Sequence, residues 1–157
     1  MTAVGWGEFA REAPELAAAV RARFEAARHH VIATLRSDGS PRVSGTEVDF
    51  QDGDLILGSM YGAVKARDLQ RDGRFALHAN PGDGSMAGGD AKVAGVAEEV
   101  VGEDVDRNAG ESNPSTPFHL FRLRVAEAVL TSLHPDGDRL VIESWRPGEG
   151  VVRRERT

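Results

Sequence analysis

Between Val31 and Asn80 the chain twice breaks a β-branched run with an Asp-Gly pair and then turns helical. The stretch reads VIATLRSDGSPRVSGTEVDFQDGDLILGSMYGAVKARDLQRDGRFALHAN. Val31 to Arg36 and Arg42 to Phe50 have the length and composition of strands. Ser37-Asp38-Gly39-Ser40 and Gln51-Asp52-Gly53-Asp54 supply the Asp-Gly chemistry of tight hairpins, because both residue types tolerate the positive φ that such turns require. The pattern predicts an antiparallel meander that gives way at Gly62 to a short helix ending at Arg71. The N-terminus of such a helix aims backbone N–H groups outward and is a ready anion site.

The rest of the chain fits around this segment. Pro14 opens a helix where its missing N–H costs nothing, with Glu15 in the first turn. Leu16, Val20, Phe24 and Ala27 form one stripe, so the helix packs one face on the sheet and runs out near His29. A strand is expected at Arg74 to Asn80, a flexible loop at 81–91, and another strand at Lys92 to Val101. Gly102 to Pro117 is polar, contains two prolines and is expected to be mobile. Phe118 to Leu133 is long enough for one bent strand or two. A turn at His134 to Asp138 then leads to a last strand, Arg139 to Arg146. The class is therefore mainly β (α+β): a barrel of about six or seven antiparallel strands, with an N-terminal helix and a short helix after the third strand.

Length and charge narrow the function. The 157 residues are expected to form one domain, 1–157. There is no cysteine, so neither disulfides nor thiolate metal sites hold it together. The opening MTAVGWGEFAREAPEL lacks a signal-peptide core, and no run approaches membrane-span length, so a soluble cytoplasmic protein with no membrane partner is expected. A net charge of −6 argues against nucleic acid, whose phosphates favour a basic face. The five histidines show no metal-ligand spacing. Gly82-x-Gly84-x-x-x-Gly88 misses the dinucleotide fingerprint and precedes a strand rather than a helix.

The candidate site residues cluster around the Gly62–Arg71 helix. Lys65 lies in its first turn, where a cation opposes the helix dipole. The packed face runs through Gly62, Ala66, Leu69 and Gly73, and Lys65 sits roughly 70° from its centre, pointing toward the preceding strand end. That position makes sense if an anion is bound; the alternative is a solvated lysine paired with Asp68 or Asp72. Gly58, Ser59 and Met60 close the strand before the helix, and glycine followed by serine offers a phosphate both backbone access and a hydroxyl. Arg67 is expected to add a second charge to the groove, whereas Arg71 reads as a solvated face. Ser44, Gly45 and Thr46 stand mid-strand where Val or Ile would pack better, so Gly45 marks a bulge or a close approach. Trp6 reads as an anchor for the N-terminal arm.

Three segments, HHVIATLRSDGSPRVSGTEV, LILGSMYGAVKARDLQRDGRFAL and LVIESWRPGEGVVR, resemble the flavin-binding split β-barrel of the pyridoxamine-phosphate-oxidase-like superfamily. Within it the chain looks closest to small bacterial proteins that bind FMN or the deazaflavin coenzyme F-420. The resemblance implies a homodimer with the cofactor at the subunit interface and hydride transfer to or from a small-molecule substrate. It implies that Lys65, in the matching K-x-x-x-L segment, holds the cofactor phosphate. It also implies that the Ser44–Thr46 strand and the next line the isoalloxazine, and that the segment at Trp145 reaches the cofactor across the dimer. No catalytic acid or base is assigned, since the cofactor does the chemistry. The alternative is a non-catalytic split barrel that binds or carries flavin or haem. A pyridoxamine-phosphate oxidase proper ranks low, because its dense arginine and glutamine runs are missing.

Overall fold

The computed structural model describes residues 1–101 and 117–157. Residues 102–116, most of the segment expected to be mobile, lie outside the described residues. Three helices, α1 (Trp6–Glu12), α2 (Pro14–Glu25) and α3 (Val64–Arg71), accompany nine strands. These are β1 (His30–Leu35), β2 (Pro41–Thr46), β3 (Val48–Gln51), β4 (Asp54–Met60), β5 (Arg74–His78), β6 (Asp90–Val100), β7 (Phe118–Leu133), β8 (Leu140–Arg146) and β9 (Gly150–Arg156). All strand pairings among the described residues are antiparallel. The fold is mainly antiparallel β, a split barrel with three attached helices.

Both Asp-Gly hairpins form, with Gly39 at φ 84° and the Asp52-Gly53 pair at φ 51° and 80°. The meander between them does not. Arg42–Phe50 is two strands rather than one, split at Glu47. β2 pairs with β1 and β3 pairs with β4, and the order β2-β1-β5-β6-β7-β4-β3 puts them at opposite ends of the sheet. An uninterrupted run of strand length cannot report such a change of partner. The 16-residue β7 is a single strand that bridges the two halves: Phe118 to Arg122 pair with β4, and Ala128 to Leu133 pair with β8. On its other edge, the register with β6 shifts at Ala94/Gly95, and a Cβ on Gly95 would lie 1.8 Å from the Arg124 carbonyl oxygen. Glycine is required there because the backbones meet.

Pro14 occupies the first turn of α2 as expected, and Leu16, Val20 and Phe24 are buried, but the helix ends at Glu25 because His30 already belongs to β1. The seven-residue α1 is too short to show in the sequence pattern. It buries Trp6 and Phe9 one turn apart. Phe9 packs 5.0 Å from Trp6 and 4.6 Å from Trp145, joining the helical layer to β8. With Ile32, Leu55, Leu57, Leu77, Phe121 and Leu123 they belong to the main core cluster. Each such side chain contributes about 1.5–3 kcal/mol of burial free energy. The 81–91 loop is tied to α2, where Arg23 donates to the Ala87 carbonyl over 2.8 Å. The last strand, β9, has no buried residue on either face and, among the described residues, pairs only with β8. No helix among the described residues is long and apolar enough to cross a membrane.

Candidate functional site

Helix α3 begins two residues later than the sequence suggests. Gly62 takes φ 76°, a left-handed turn that few side chains tolerate, and Val64 is the first helical residue. Ala66 and Leu69 are buried as the periodicity requires. The first turn carries no acid and Ala63 offers no side-chain cap, so the dipole's positive end has the Lys65 cation beside it. Neither alternative partner takes that lysine. Among the described residues its ammonium donates one hydrogen bond, over 2.8 Å, to the backbone carbonyl of Gly45 in β2. Burial pushes the ammonium below the ordinary lysine range, and Glu47 only partly offsets the effect. A half-buried cation held by one neutral carbonyl, at a helix N-terminus, is a position suited to an anion.

Asp68 is otherwise engaged. Its carboxylate is 2% exposed and accepts from Thr34 Oγ1 (2.8 Å), Arg42 Nε (2.7 Å) and Arg71 Nη2 (2.9 Å). Burial pushes this carboxyl up, but donation from Arg42, Thr34 and Arg71 outweighs it and holds the group below the usual range. Arg71 also donates to the Leu35 carbonyl over 2.7 Å, so this partly exposed side chain clasps α3 to β1 as well as facing solvent. The cluster fixes the one edge strand, β2, to which Lys65 reaches. Its sequence signal was an acid inside the basic run KARDLQR, next to the buried Leu69.

Gly45 is exposed on the outer face of β2 and Gly58 on that of β4, and a Cβ added to either meets nothing within 4 Å. Both leave bare backbone open to solvent. Ser44 is half-buried and Thr46 is buried, so neither presents a free hydroxyl on the Gly45 face. Ser59 also points inward; its Oγ is buried with no hydrogen-bond partner among the described residues. Met60 lies outward and is 83% exposed. Arg67 does not join Lys65. It donates to Gln70 over 3.0 Å and lies 6.0 Å from the Tyr61 ring, because two helical positions turn it about 200° away. Trp145 is 1% exposed, its ring against Phe9 inside the core, and there it anchors the terminal hairpin.

A second polar group, missed in the sequence, lies on that Arg67 flank. His119 is buried on the inward face that alternates through Phe121, Leu123 and Val125, a period-2 signal that marks it as interior. Its Nδ1 is 3.0 Å from Glu99 Oε1, and its Nε2 accepts the Gly62 N–H over 3.1 Å. Tyr61 stacks on the ring at 5.0 Å and 8°. Burial pushes Glu99 up, but donation from Gln70 and His119 and the charge of Arg67 hold it below the usual range. At the β7–β8 turn, His134, Asp136 and Asp138 bring ligand atoms within 4.8 Å of one another. Arg139 already fills that position, donating to Asp138 over 2.7 Å and lying 2.9 Å from His134 Nε2.

Comparison with known proteins places the fold. The family model described as pyridoxamine 5'-phosphate oxidase matches residues 16–132, well over half of the chain. An FMN-binding, pyridoxamine 5'-phosphate oxidase-related protein from Nostoc punctiforme superposes with a TM-score of 0.63 at 13% identity, covering 92% of this chain and 96% of that one. PhzG from Burkholderia lata, solved with tetrahydrophenazine-1-carboxylic acid, gives 0.60 at 17% identity, covering 90% and 88%. A haem-binding protein from Mycobacterium smegmatis gives 0.57 at 23% identity; the match covers 82% of this chain but only 57% of that protein, little more than half its length. No curated protein matches the sequence at a significant level. At these identities the solved structures speak for the fold, and the family model speaks for descent: the chain belongs to the pyridoxamine 5'-phosphate oxidase-like family.

Proposed function

We propose that this chain binds FMN or the deazaflavin coenzyme F-420 beside the start of α3. In this reading it works as a cytoplasmic homodimer and moves a hydride between that cofactor and a small-molecule substrate. The observation that carries the reading is Lys65: a half-buried ammonium in the first turn of an uncapped helix, with a single carbonyl for a partner among the described residues. A cofactor phosphate supplies the missing negative charge, and the first backbone N–H groups of α3 supply further donors. The bare backbone at Gly45 and Gly58 admits a planar ring at close approach, so the residues present fit a flavin-type group. When bound, that group supplies the hydride chemistry, and the chain supplies grip and orientation. Arg67 and the Trp145 ring stay outside this assignment, since one faces Tyr61 and the other the core.

The dimer rests on the same outer surface. Val31 and Val43 are 44% and 70% exposed, on the face that Gly45 shares, and β9 is open on both sides. A second copy would cover them. The test is a parallel titration with FMN and F-420, read by quenching of cofactor fluorescence. Saturable binding of either, one per chain, supports the reading. Binding of neither refutes it.

A carrier role is the second reading, favoured by the similarity to the haem-binding protein from M. smegmatis. In this chain His119 has both ring nitrogens engaged, and His30 accepts the Asn80 N–H, so neither is a ready axial ligand for iron. A bound flavin that no donor reduces would favour the carrier; reduction with turnover of a substrate favours the enzyme.

A further inference from the structure

The contacts of His119 close a ring around helix α3. Gln70, near the end of the helix, donates to both carboxylate oxygens of Glu99 in β6, over 3.1 and 2.9 Å. Glu99 meets Nδ1 of His119 in β7, and Nε2 of the same ring meets the N–H of Gly62, in the turn that feeds the helix. Lys65 lies between the two ends that the ring holds. The partners admit one tautomer. A backbone N–H can only donate, so Nε2 is the acceptor; a carboxylate that must receive a donor leaves Nδ1 carrying the proton. Tyr61, itself 66% exposed, stacks on the imidazole, which is 6% exposed.

We infer that His119 is a positioning residue for the anion site: as the neutral Nδ1–H tautomer it fixes the Gly62 turn, and through it the reach of Lys65 to Gly45. The inference rests on the cofactor reading above only for its binding arm. Without His119 the Gly62 N–H loses its acceptor, and a left-handed glycine turn with no such tie has other conformations available. Lys65, three residues on, then no longer meets β2 in one geometry. The ring's hydrogen bonds, not its bulk, are the cause, which separates this role from simple packing.

Two variants make that separation. His119→Phe keeps the flat ring beneath Tyr61 and removes both polar contacts. His119→Gln spaces an acceptor oxygen and a donor nitrogen much as the imidazole does. The ligand-free arm uses long-range proton–nitrogen NMR of the imidazole in the wild type, and the carbonyl carbon shift of Gly45 in all three proteins. The expected results are an unprotonated Nε2, and a Gly45 carbonyl that moves in His119→Phe but stays in place in His119→Gln. In the binding arm, His119→Phe should weaken FMN or F-420 at least tenfold, while His119→Gln stays within about threefold of the wild type. A protonated Nε2, an unmoved Gly45 carbonyl in His119→Phe, or His119→Gln as weak as His119→Phe would overturn the inference. If the wild type bound neither cofactor, the site reading would fall alone, and the Gly45 carbonyl would still decide the positioning.

Discussion

Asp68→Asn probes the clasp that sets the edge strand in place. The wild-type carboxylate joins three elements: β1 through Thr34, β2 through Arg42, and α3's own last turn through Arg71. The Arg42 side chain is 24% exposed, and its charge-assisted bond is worth about 1.5–2 kcal/mol. Arg71 is 41% exposed, so solvent screening leaves its bond about 0.5 kcal/mol. Thr34 and Arg42 share Oδ2, so an amide oxygen in that place still accepts from both but without the charge, and the amide nitrogen at the Oδ1 place then faces the Arg71 guanidinium. The total loss comes to about 2–3 kcal/mol, below the 3–5 kcal/mol or so of a fully buried broken pair. For a chain of this length the melting temperature should fall by about 5–10 °C. The folded carboxyl is held low, so its contribution is fully present above the unfolded aspartate value of about 3.9 and is lost as pH falls through the folded value. Thermal melts should therefore show the full gap near neutral pH and a closing gap below about pH 4. The Arg42→Ala, Asp68→Asn double variant should lose less than the sum of the singles. A drop under about 2 °C at neutral pH, or a gap that widens in acid, would refute the reasoning.

Gly95→Ala should cost at least about 3 kcal/mol or abolish folding, because the new Cβ falls on the Arg124 carbonyl; soluble yield and a urea midpoint read this directly. Gly45→Val and Gly58→Val place their Cβ atoms in open space and should leave the apo melting temperature within about 2 °C, yet weaken cofactor binding, which calorimetry would detect; equal loss of both would mean the glycines serve the fold alone. Trp145→Phe should lower stability by about 1–3 kcal/mol while cofactor affinity stays within a few-fold, and a large affinity loss at unchanged stability would put the ring back at the cofactor. Arg67→Ala should bind almost normally and thereby serve as the control for Lys65, a role Arg71 cannot fill because it clasps Asp68 and Leu35.

Local chemistry made some of this architecture legible. The Asp-Gly pairs located both hairpins, Pro14 located the start of α2, and the helical period located Ala66 and Leu69. What escaped was long-range. Glu47 carries no mark that β2 and β3 part there for opposite edges, and GVVRRER reads as a tail until β8 offers it an edge. At the site, Lys65 stood out because its charge conflicts with a local rule. Asp68 and His119 carry only weak local marks, an acid in a basic run and an inward strand position, and neither mark names a partner: Asp68 meets Arg42 and Thr34, 26 and 34 residues away, and His119 meets Gly62, 57 residues away. That Ser59 and Trp145 face inward was hidden for one reason: the side of the barrel a residue faces follows from strand register.

The central claim is that Lys65 grips the phosphate of a flavin-type cofactor. Its most direct test is the affinity ratio of FMN to riboflavin, measured in the wild type and in Lys65→Ala, with the deazaflavin compared likewise with and without its phosphate-bearing tail. A hydrogen bond to a charged group is worth about 1.5–3 kcal/mol, so Lys65→Ala should weaken the phosphorylated ligand by roughly 10- to 150-fold and the phosphate-free one little, collapsing the ratio. The same ratio in both proteins would place the phosphate elsewhere.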